Sequence, residues 1–126
     1  MNFRIIPLSP DGPEGKGLPL EDLSELPQAK VVEGVVPAHG FVGYTDPTGH
    51  YAVGVAEYEA GTIEIDSWPV DEFCTVIAGS VEISDASGHT QKFGPGDAFV
   101  IPKGFSGTWR MSEKFKKYWT SFIFNI

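Results

Sequence analysis

The sequence has little cysteine and no long apolar run. Cys74 is the one cysteine among 126 residues, so an internal disulfide and a Cys-x-x-Cys zinc pair are both excluded. No apolar segment approaches the roughly 20 residues of a membrane span. The N-terminal stretch reaches proline and aspartate before any useful apolar core, which predicts that it is not a signal peptide. We therefore expect a cytoplasmic protein with no membrane partner.

Positive charge is also scarce. Nine lysines and arginines stand against 17 aspartates and glutamates, which gives a formal net charge of -8. Such a surface repels phosphate backbones and anionic lipid, so nucleic acid is not expected as a partner. The binding partners that fit this balance are a small-molecule ligand or another protein.

Glycine and proline are abundant and spread along the whole chain. The 15 glycines and 10 prolines suit short strands joined by tight turns and argue against a helical bundle. An apolar fraction of 41% is enough to fill a single core. We expect one all-β domain over residues 1–126.

Alternation of apolar and polar residues predicts the strands. Ile63 and Ile65 flank Glu64 in one such pattern, and Val81 and Ile83 flank Glu82 in another. The leucines of residues 18–26 predict one or two helical turns after a proline. The regular spacing predicts a sandwich or barrel of about ten strands, namely 3–8, 30–36, 50–60, 62–67, 72–78, 80–85, 89–93, 98–102, 106–112 and 116–126.

The stretch from residue 61 to residue 111 resembles the two signature motifs of the cupin superfamily. Gly61, Glu72 and Gly79 match the first motif, whose two histidine positions fall on Ser67 and Pro69. The second motif is matched by Gly96, Pro102 and Gly104, with its histidine position on Gly107 and its asparagine position on Met111. The resemblance implies a single cupin barrel, the jelly roll or double-stranded β-helix, with its site inside.

A closer resemblance covers residues 55–124. The phrases WPVDEFCTVIAGSVEISD, GDAFVIPKGFSGTW and KKYW are similar to small single-domain cupins of the ureidoglycine aminohydrolase type. In that enzyme type the family's histidine and glutamate positions hold manganese. Only Glu72 occupies one of those positions here, so we expect no metal cofactor.

The alternative is a divalent metal, Mn, Zn, Ni or Fe, held by relocated ligands. His39 and His50 are the candidates, because loops can bring them near the mouth of the barrel. His89 falls beside a predicted hairpin tip, where exposure to solvent is expected.

Glu72 is the leading catalytic candidate. Period two places Glu72, Cys74 and Val76 on one strand face, and the resemblance points that face into the barrel. A desolvated carboxylate can serve as a general acid or base; the alternative is a carboxylate bonded to a lysine, a tyrosine or a backbone amide. Cys74 is a candidate nucleophile or a small core residue, since no histidine is near it in sequence.

Four residues are candidates for substrate binding: Ser67, Trp68, Trp109 and Tyr118. Trp109 shares a face with Gly107 and either packs in the core or stacks on a planar ligand. Trp68 is expected at the barrel rim or a dimer contact, and Tyr118 can offer its hydroxyl to the cavity. One member of the lysine cluster near the C-terminus can pair with the catalytic glutamate or attract a carboxylate substrate, namely Lys114, Lys116 or Lys117.

The resemblance implies a small cupin and, because small cupins usually pair by their edge strands, a homodimer. We expect its barrel to bind a small polar metabolite. A metal-independent enzyme that uses Glu72 for proton transfer is one form of this hypothesis. The alternatives are a metal-dependent aminohydrolase of the ureidoglycine type and a noncatalytic sensor. Whether the protein is an enzyme stays open at this point.

Overall fold

The computed structural model of the protein describes residues 3–21, 28–34 and 38–124. Within these ranges the chain forms eleven strands and one 3₁₀ turn at Pro13–Gly15. All strand pairs are antiparallel, and the all-β prediction is confirmed. The strands are β1 Leu20–Glu21, β2 Ala29–Gly34, β3 Ala38–Thr45, β4 Tyr51–Tyr58, β5 Gly61–Ile65, β6 Asp71–Ala78, β7 Val81–Asp85, β8 Thr90–Phe93, β9 Ala98–Ile101, β10 Gly107–Met111 and β11 Phe115–Phe122.

The strands form two sheets whose inner faces share one core. The six-stranded sheet has the order β1-β3-β4-β11-β6-β9, and the five-stranded sheet has the order β2-β5-β10-β7-β8. Strand β11 lies between β4 and β6 near the middle of the larger sheet. The buried core cluster draws on both sheets, so the inner side chains of β6 and β11 face those of β5 and β10. No helix in the described ranges is long and apolar enough to cross a membrane.

Strand β6 shows how the alternating sequence produces the two faces of the larger sheet. Glu72, Cys74 and Val76 are all buried, whereas Phe73 between them is 48% exposed. Successive side chains of a strand point to opposite faces, so this pattern fixes the inner and outer sides of β6. The shared face predicted for the first three residues is therefore present, and it is the inner one.

The N-terminal segment is not the strand predicted for residues 3–8. It pairs with no described strand, and from Leu8 onward it lies over the outer face of the larger sheet. There the Tyr118 hydroxyl donates to the Leu8 carbonyl at 3.3 Å, and Lys116 Nζ donates to the Pro10 carbonyl at 2.7 Å. The carbonyls of Leu8 and Pro10 are thus satisfied by side chains, which anchor this part of the chain without making it a strand.

The helical prediction for residues 18–26 is wrong where the structure tests it. Leu20 and Glu21 form strand β1, with Leu20 paired to His39 of β3; residues 22–27 lie outside the described residues. Strand β3 itself was missed by the sequence reasoning. It contains Gly40 and Gly43, and glycine is depleted in strands because it adds no side chain to pack.

The Gly79→Ala variant tests the tight turn between β6 and β7. Gly79 has φ 74°, and a Cβ there would overlap the carbonyl oxygen of Lys114. The matched control is Gly88→Ala, where φ is 89° but no atom lies within 4 Å of the added Cβ. We expect Gly79→Ala to lower the free energy of unfolding by at least about 1 kcal/mol more than the control, measured by urea denaturation. Equal losses of free energy in the two variants would show that the cost comes from the positive φ alone and not from overlap with Lys114.

Candidate functional site

A buried cluster of Glu72, Cys74 and Lys117 lies between the two sheets. Lys117 Nζ is 2.7 Å from Glu72 Oε2, and the Cys74 thiol donates to the same oxygen at 3.0 Å. Lys117 Nζ is also 3.5 Å from Cys74 Sγ. All three residues are at most 6% exposed. The carboxylate therefore accepts from an ammonium and a thiol in a water-poor environment, where charge-assisted hydrogen bonds are strong.

The pairing of β6 with β11 explains how a lysine reaches Glu72. Ser121 is the residue directly opposite Glu72, whereas Lys117 is opposite Val76. Four residues of strand separate the two positions, roughly 13 Å. The Lys117 and Glu72 side chains extend toward each other along the inner face and together cover this distance, and they meet beside Cys74. Lys117 and Glu72 therefore form an ion pair between adjacent strands although they are not directly opposite each other.

The surroundings keep Lys117 charged. Burial by itself lowers the pKa of Lys117, but the negative charges available on Cys74, Glu72 and Tyr58 outweigh it and raise this pKa well above its usual value. The Glu72 carboxylate is hydrogen-bonded directly to the ammonium. The ammonium also lies 4.7 Å from the Trp109 ring centroid and 5.8 Å from that of Tyr58, distances at which aromatic faces attract a cation.

Cys74 lies in this cluster as a thiol. Burial raises the pKa of Cys74 to about 12, and the negative charge of Glu72 adds to this while Lys117 opposes it. A cysteine reacts through its thiolate, which is scarce at neutral pH when the pKa is this high. The geometry therefore favours the interpretation of Cys74 as a core residue that donates to Glu72 over that of a nucleophile.

Two cavities adjoin the cluster and share Tyr58, Trp68 and Lys117. The outer pocket, about 190 Å³, also contacts the exposed Pro69 and so reaches the surface. The inner cavity, about 30 Å³, lies deeper against Trp109. The remaining outer-pocket residues are Gln28, Ala56, Val70, Glu72, Trp119 and Ser121, and the remaining inner-cavity residues are Ala29, Ile63, Ile65 and Ile101.

Of the four residues predicted to bind substrate, the two tryptophans line these cavities. Trp109 is 4% exposed on β10 and meets Phe99 and Phe115 edge to face. Trp68 is half-buried, and the backbone hydrogen bonds of its N–H to Phe105 and its carbonyl to Gly104 hold it in place. Indole Nε1 of each ring is buried without an acceptor among the described residues.

The other two predicted residues lie elsewhere. Tyr118 is one residue from Lys117, so it occupies the opposite face of β11, where it bonds to the N-terminal segment. Ser67 is exposed, has φ 53°, and donates its backbone N–H to Ser106 Oγ at 3.0 Å. Neither lines the outer pocket or the inner cavity, so the structure does not bring them together with Glu72.

The three histidines lie away from the cluster. His39 is on strand β3 instead of a loop and lines a separate cleft with Glu57 and Lys116, on the outer face of the larger sheet. His50 shares a hydrogen bond with Thr48 at 2.9 Å in the turn before β4. His89 is exposed in the β7–β8 hairpin, as its position in the sequence predicted.

The residues around Glu72 do not fit the metal centre that the cupin motifs imply. A Cβ on Gly107, at the histidine position of the second motif, would overlap the carbonyl oxygen of Ser84, so no imidazole fits there. The nearest polar group to the glutamate is the Lys117 ammonium, which cannot ligate while protonated. Among the described residues no group of three or more His, Cys, Asp or Glu is placed to hold a metal ion.

Two larger clefts, each about 480 Å³, lie on other parts of the barrel. One lies beside Arg110 and Lys92, and the other runs along the edges of β8 and β9 past Asp85 and His89. None of their titratable side chains is buried. These clefts are large enough for a ligand, but they contain no buried charged group. The cluster at Glu72 is therefore the better candidate site.

Sequence reasoning did not name several residues that line the outer pocket, among them Tyr58, Trp119 and Ser121. Lys117 was one of three lysines considered as partners for the glutamate, and the structure selects it. The available signal was parity on β11, since Lys117, Trp119 and Ser121 alternate on one face. The pairing register that turns this face toward Glu72 cannot be read from one strand alone.

The two antiparallel sheets form a cupin barrel, and the comparisons with known proteins agree. The family model described as the EutQ-like cupin domain matches residues 45–119. This range is more than half of the chain, and the protein therefore belongs to the EutQ-like cupin family. A comparison with curated proteins found no match.

Solved structures with the same fold support the barrel assignment. A putative ethanolamine utilization protein Q from Salmonella typhimurium is 20% identical over 71% of this chain and 72% of its own, with a TM-score of 0.62. A DUF861-family protein from Thermotoga maritima is 25% identical over 54% of this chain and 76% of its own, with a TM-score of 0.52. The cupin domain of Schizosaccharomyces pombe Cnp3 is 13% identical over 86% of this chain and 71% of its own, with a TM-score of 0.62. The predicted cupin barrel is confirmed, whereas the ureidoglycine aminohydrolase subfamily is not.

The Lys117→Met variant tests whether the ion pair holds the barrel interior together. It leaves the Glu72 carboxylate buried without its cation, so we expect the free energy of unfolding to fall by about 3–5 kcal/mol. Lys114→Met is the control, because Lys114 pairs with Glu59 at 3.3 Å and is 56% exposed; we expect a loss below about 1 kcal/mol.

Adding Glu72→Gln to Lys117→Met removes the uncompensated charge, and this double variant should recover part of the lost stability. Urea denaturation at neutral pH measures all four proteins. If Lys117→Met loses no more than Lys114→Met, the pair is not the central interaction of the core.

Proposed function

We propose that this EutQ-like cupin binds a small polar metabolite in the outer pocket, at the Glu72–Lys117 pair, and that it does so without a metal. The observation that carries the proposal is the position of the pair. Two opposite charges, 2.7 Å apart and almost fully buried, form part of the wall of a pocket that reaches the surface.

The energetics of a buried ion pair support a role in binding. Two desolvated charges recover little net stability compared with apolar residues of the same volume. A pair that is costly for folding, and that lines a pocket, is a reasonable candidate for function. Glu72 and Lys117 together offer a ligand a negative and a positive group whose positions are fixed by packing.

The dimensions and lining of the outer pocket suit a small ligand. Its volume of about 190 Å³ is below the ~300–1,000 Å³ typical of sites for drug-sized molecules. Trp68 and Trp119 provide flat apolar surface, while Ser121 and Gln28 provide neutral polar groups. This combination of apolar walls and a few polar groups suits a compact polar metabolite and leaves little room for a nucleotide.

A proton-transfer enzyme is the second candidate function, because a carboxylate and an ammonium meet in the same pocket. Glu72 would accept the proton. Lys117 holds its own proton too firmly to be an efficient acid, and would instead stabilise negative charge that develops on the substrate. A noncatalytic sensor would use the same two residues for binding alone.

The metal-dependent aminohydrolase is the least supported alternative, because Gly107 leaves no space for the histidine of the second motif and the Lys117 ammonium occupies the place beside Glu72 where a metal ion would bind. A homodimer remains part of the proposal. It is supported by exposed apolar residues on the outer face of the larger sheet, where Phe73 pairs with Val100 next to the free edge of β9.

Ligand-observed NMR on mixtures of small polar metabolites, in the presence of EDTA, tests the proposal. We expect at least one compound to bind the wild-type protein despite the chelator, and Glu72→Gln to weaken it by about tenfold or more. Glu64→Gln is the control, because Glu64 is exposed on β5, and it should bind like the wild type. If the wild-type protein converts the bound compound and Glu72→Gln does not, the protein is an enzyme.

Two results would contradict the proposal. One is that no compound binds, and the other is that the bound compound is held equally well by Glu72→Gln. Binding that disappears with EDTA and returns with a transition metal would restore the aminohydrolase alternative.

A further inference from the structure

We infer that the ligand presents a neutral carbonyl oxygen, as in an amide, a ureide, a ketone or an aldehyde, to the inner cavity. The inference rests on the proposed function and specifies the class of compound that the site takes. It excludes carboxylates and amines as the group that enters this cavity. Three observations carry it: two unpaired donors, the neutrality of the ion pair, and the walls that the two cavities share.

The unpaired donors are the indole N–H groups of Trp68 and Trp109. Each Nε1 atom is buried and has no acceptor within the part of the chain that the structure describes, and both rings line the inner cavity. An indole N–H can donate but cannot accept, and leaving it unpaired in the interior is costly. A group that satisfies these donors must therefore bring a hydrogen-bond acceptor.

Lys117 adds a third donor to the same cavity. Its ammonium has three N–H groups, and its hydrogen bonds to described residues go to Glu72 Oε2 and, at the longer distance of 3.5 Å, to Cys74 Sγ. The aliphatic part of the wall consists of Ala29, Ile63, Ile65 and Ile101. An amine or other cation would lie close to the Lys117 ammonium, whose like charge repels it, so a cationic ligand is a poor fit.

The charge balance separates a neutral acceptor from an anionic one. The Glu72 carboxylate already neutralises the Lys117 ammonium at 2.7 Å. A carboxylate ligand would bring a second negative charge into a buried site that has one positive charge, and an uncompensated buried charge is strongly unfavourable. A carbonyl oxygen accepts from the same donors without adding charge.

The two cavities together can hold such a molecule. The inner cavity of about 30 Å³ exceeds the ~10–15 Å³ that one water-sized group needs, so it takes an oxygen atom but not a whole metabolite. Tyr58, Trp68 and Lys117 line both cavities. The carbonyl oxygen would therefore enter the inner cavity while the rest of the molecule lies in the outer pocket.

Acetamide, acetate and acetamidinium test the inference, because the three probes have nearly the same planar shape and differ in charge. The indole N–H signals of ¹⁵N-labelled full-length protein are followed during each titration and are assigned with Trp68→Phe and Trp109→Phe. We expect acetamide to shift both signals saturably at millimolar concentrations, acetate to bind about tenfold more weakly or worse, and acetamidinium to shift neither signal.

Trp68→Phe retains a ring and removes one donor, so acetamide should bind it about two- to tenfold more weakly. Tyr118→Phe removes a donor from the outer face of the same barrel and should leave the affinity unchanged. The inference is overturned if acetate binds more tightly than acetamide, or if no probe shifts either indole signal, as when a resident water satisfies both donors.

These outcomes are separable from a failure of the proposed function. If acetate binds more tightly than acetamide and shifts the same indole signals, the inference of a neutral carbonyl group is wrong. The proposed metabolite site at Glu72 and Lys117 would still stand. A metabolite screen in which nothing depends on Glu72 would remove the proposed function itself.

Discussion

The hydrogen-bonded pair of Glu72 and Lys117 is the constraint around which the barrel interior is arranged. Neither charge is tolerable alone at this depth, since each would lose its hydration without compensation. Each charge has a further partner nearby. Cys74 donates a hydrogen bond to the carboxylate, and the face of Trp109 lies 4.7 Å from the ammonium. Strand β11 makes this possible because it lies between β4 and β6, which places its inner side chains in the centre of the larger sheet.

The same arrangement explains how a cupin barrel can carry polar chemistry without the usual ligand set. Close approach of backbone at Gly107 leaves no space for an imidazole, and a lysine takes the place beside Glu72 where a cation would otherwise balance the carboxylate. A fixed ammonium provides positive charge with directional donors, whereas a metal ion would provide open coordination positions. The site is therefore suited to holding an acceptor oxygen, and the unpaired indoles of Trp68 and Trp109 point to the same chemistry.

Much of the fold follows from local sequence, while the site depends on relations between strands. Period-two alternation placed Glu72 and Cys74 on one face of β6, while the resemblance to the cupin motifs pointed that face into the barrel and predicted the fold. Strand β3 was not predicted because Gly40 and Gly43 interrupt the alternation of apolar and polar side chains. Lys117 was not separable from Lys114 and Lys116 because the choice depends on register with β6. Tyr118 was misplaced for the same reason, since a shift of one residue reverses the face.

The most direct test of the central claim, that an ion pair occupies the place of a metal centre, is elemental analysis of the protein purified without chelator or affinity-tag metal. The account predicts transition metal far below one ion per chain, and the same low content in Glu72→Gln. A stoichiometric transition metal that is lost in Glu72→Gln would contradict the account, because it would show that the carboxylate is a ligand and not the partner of Lys117.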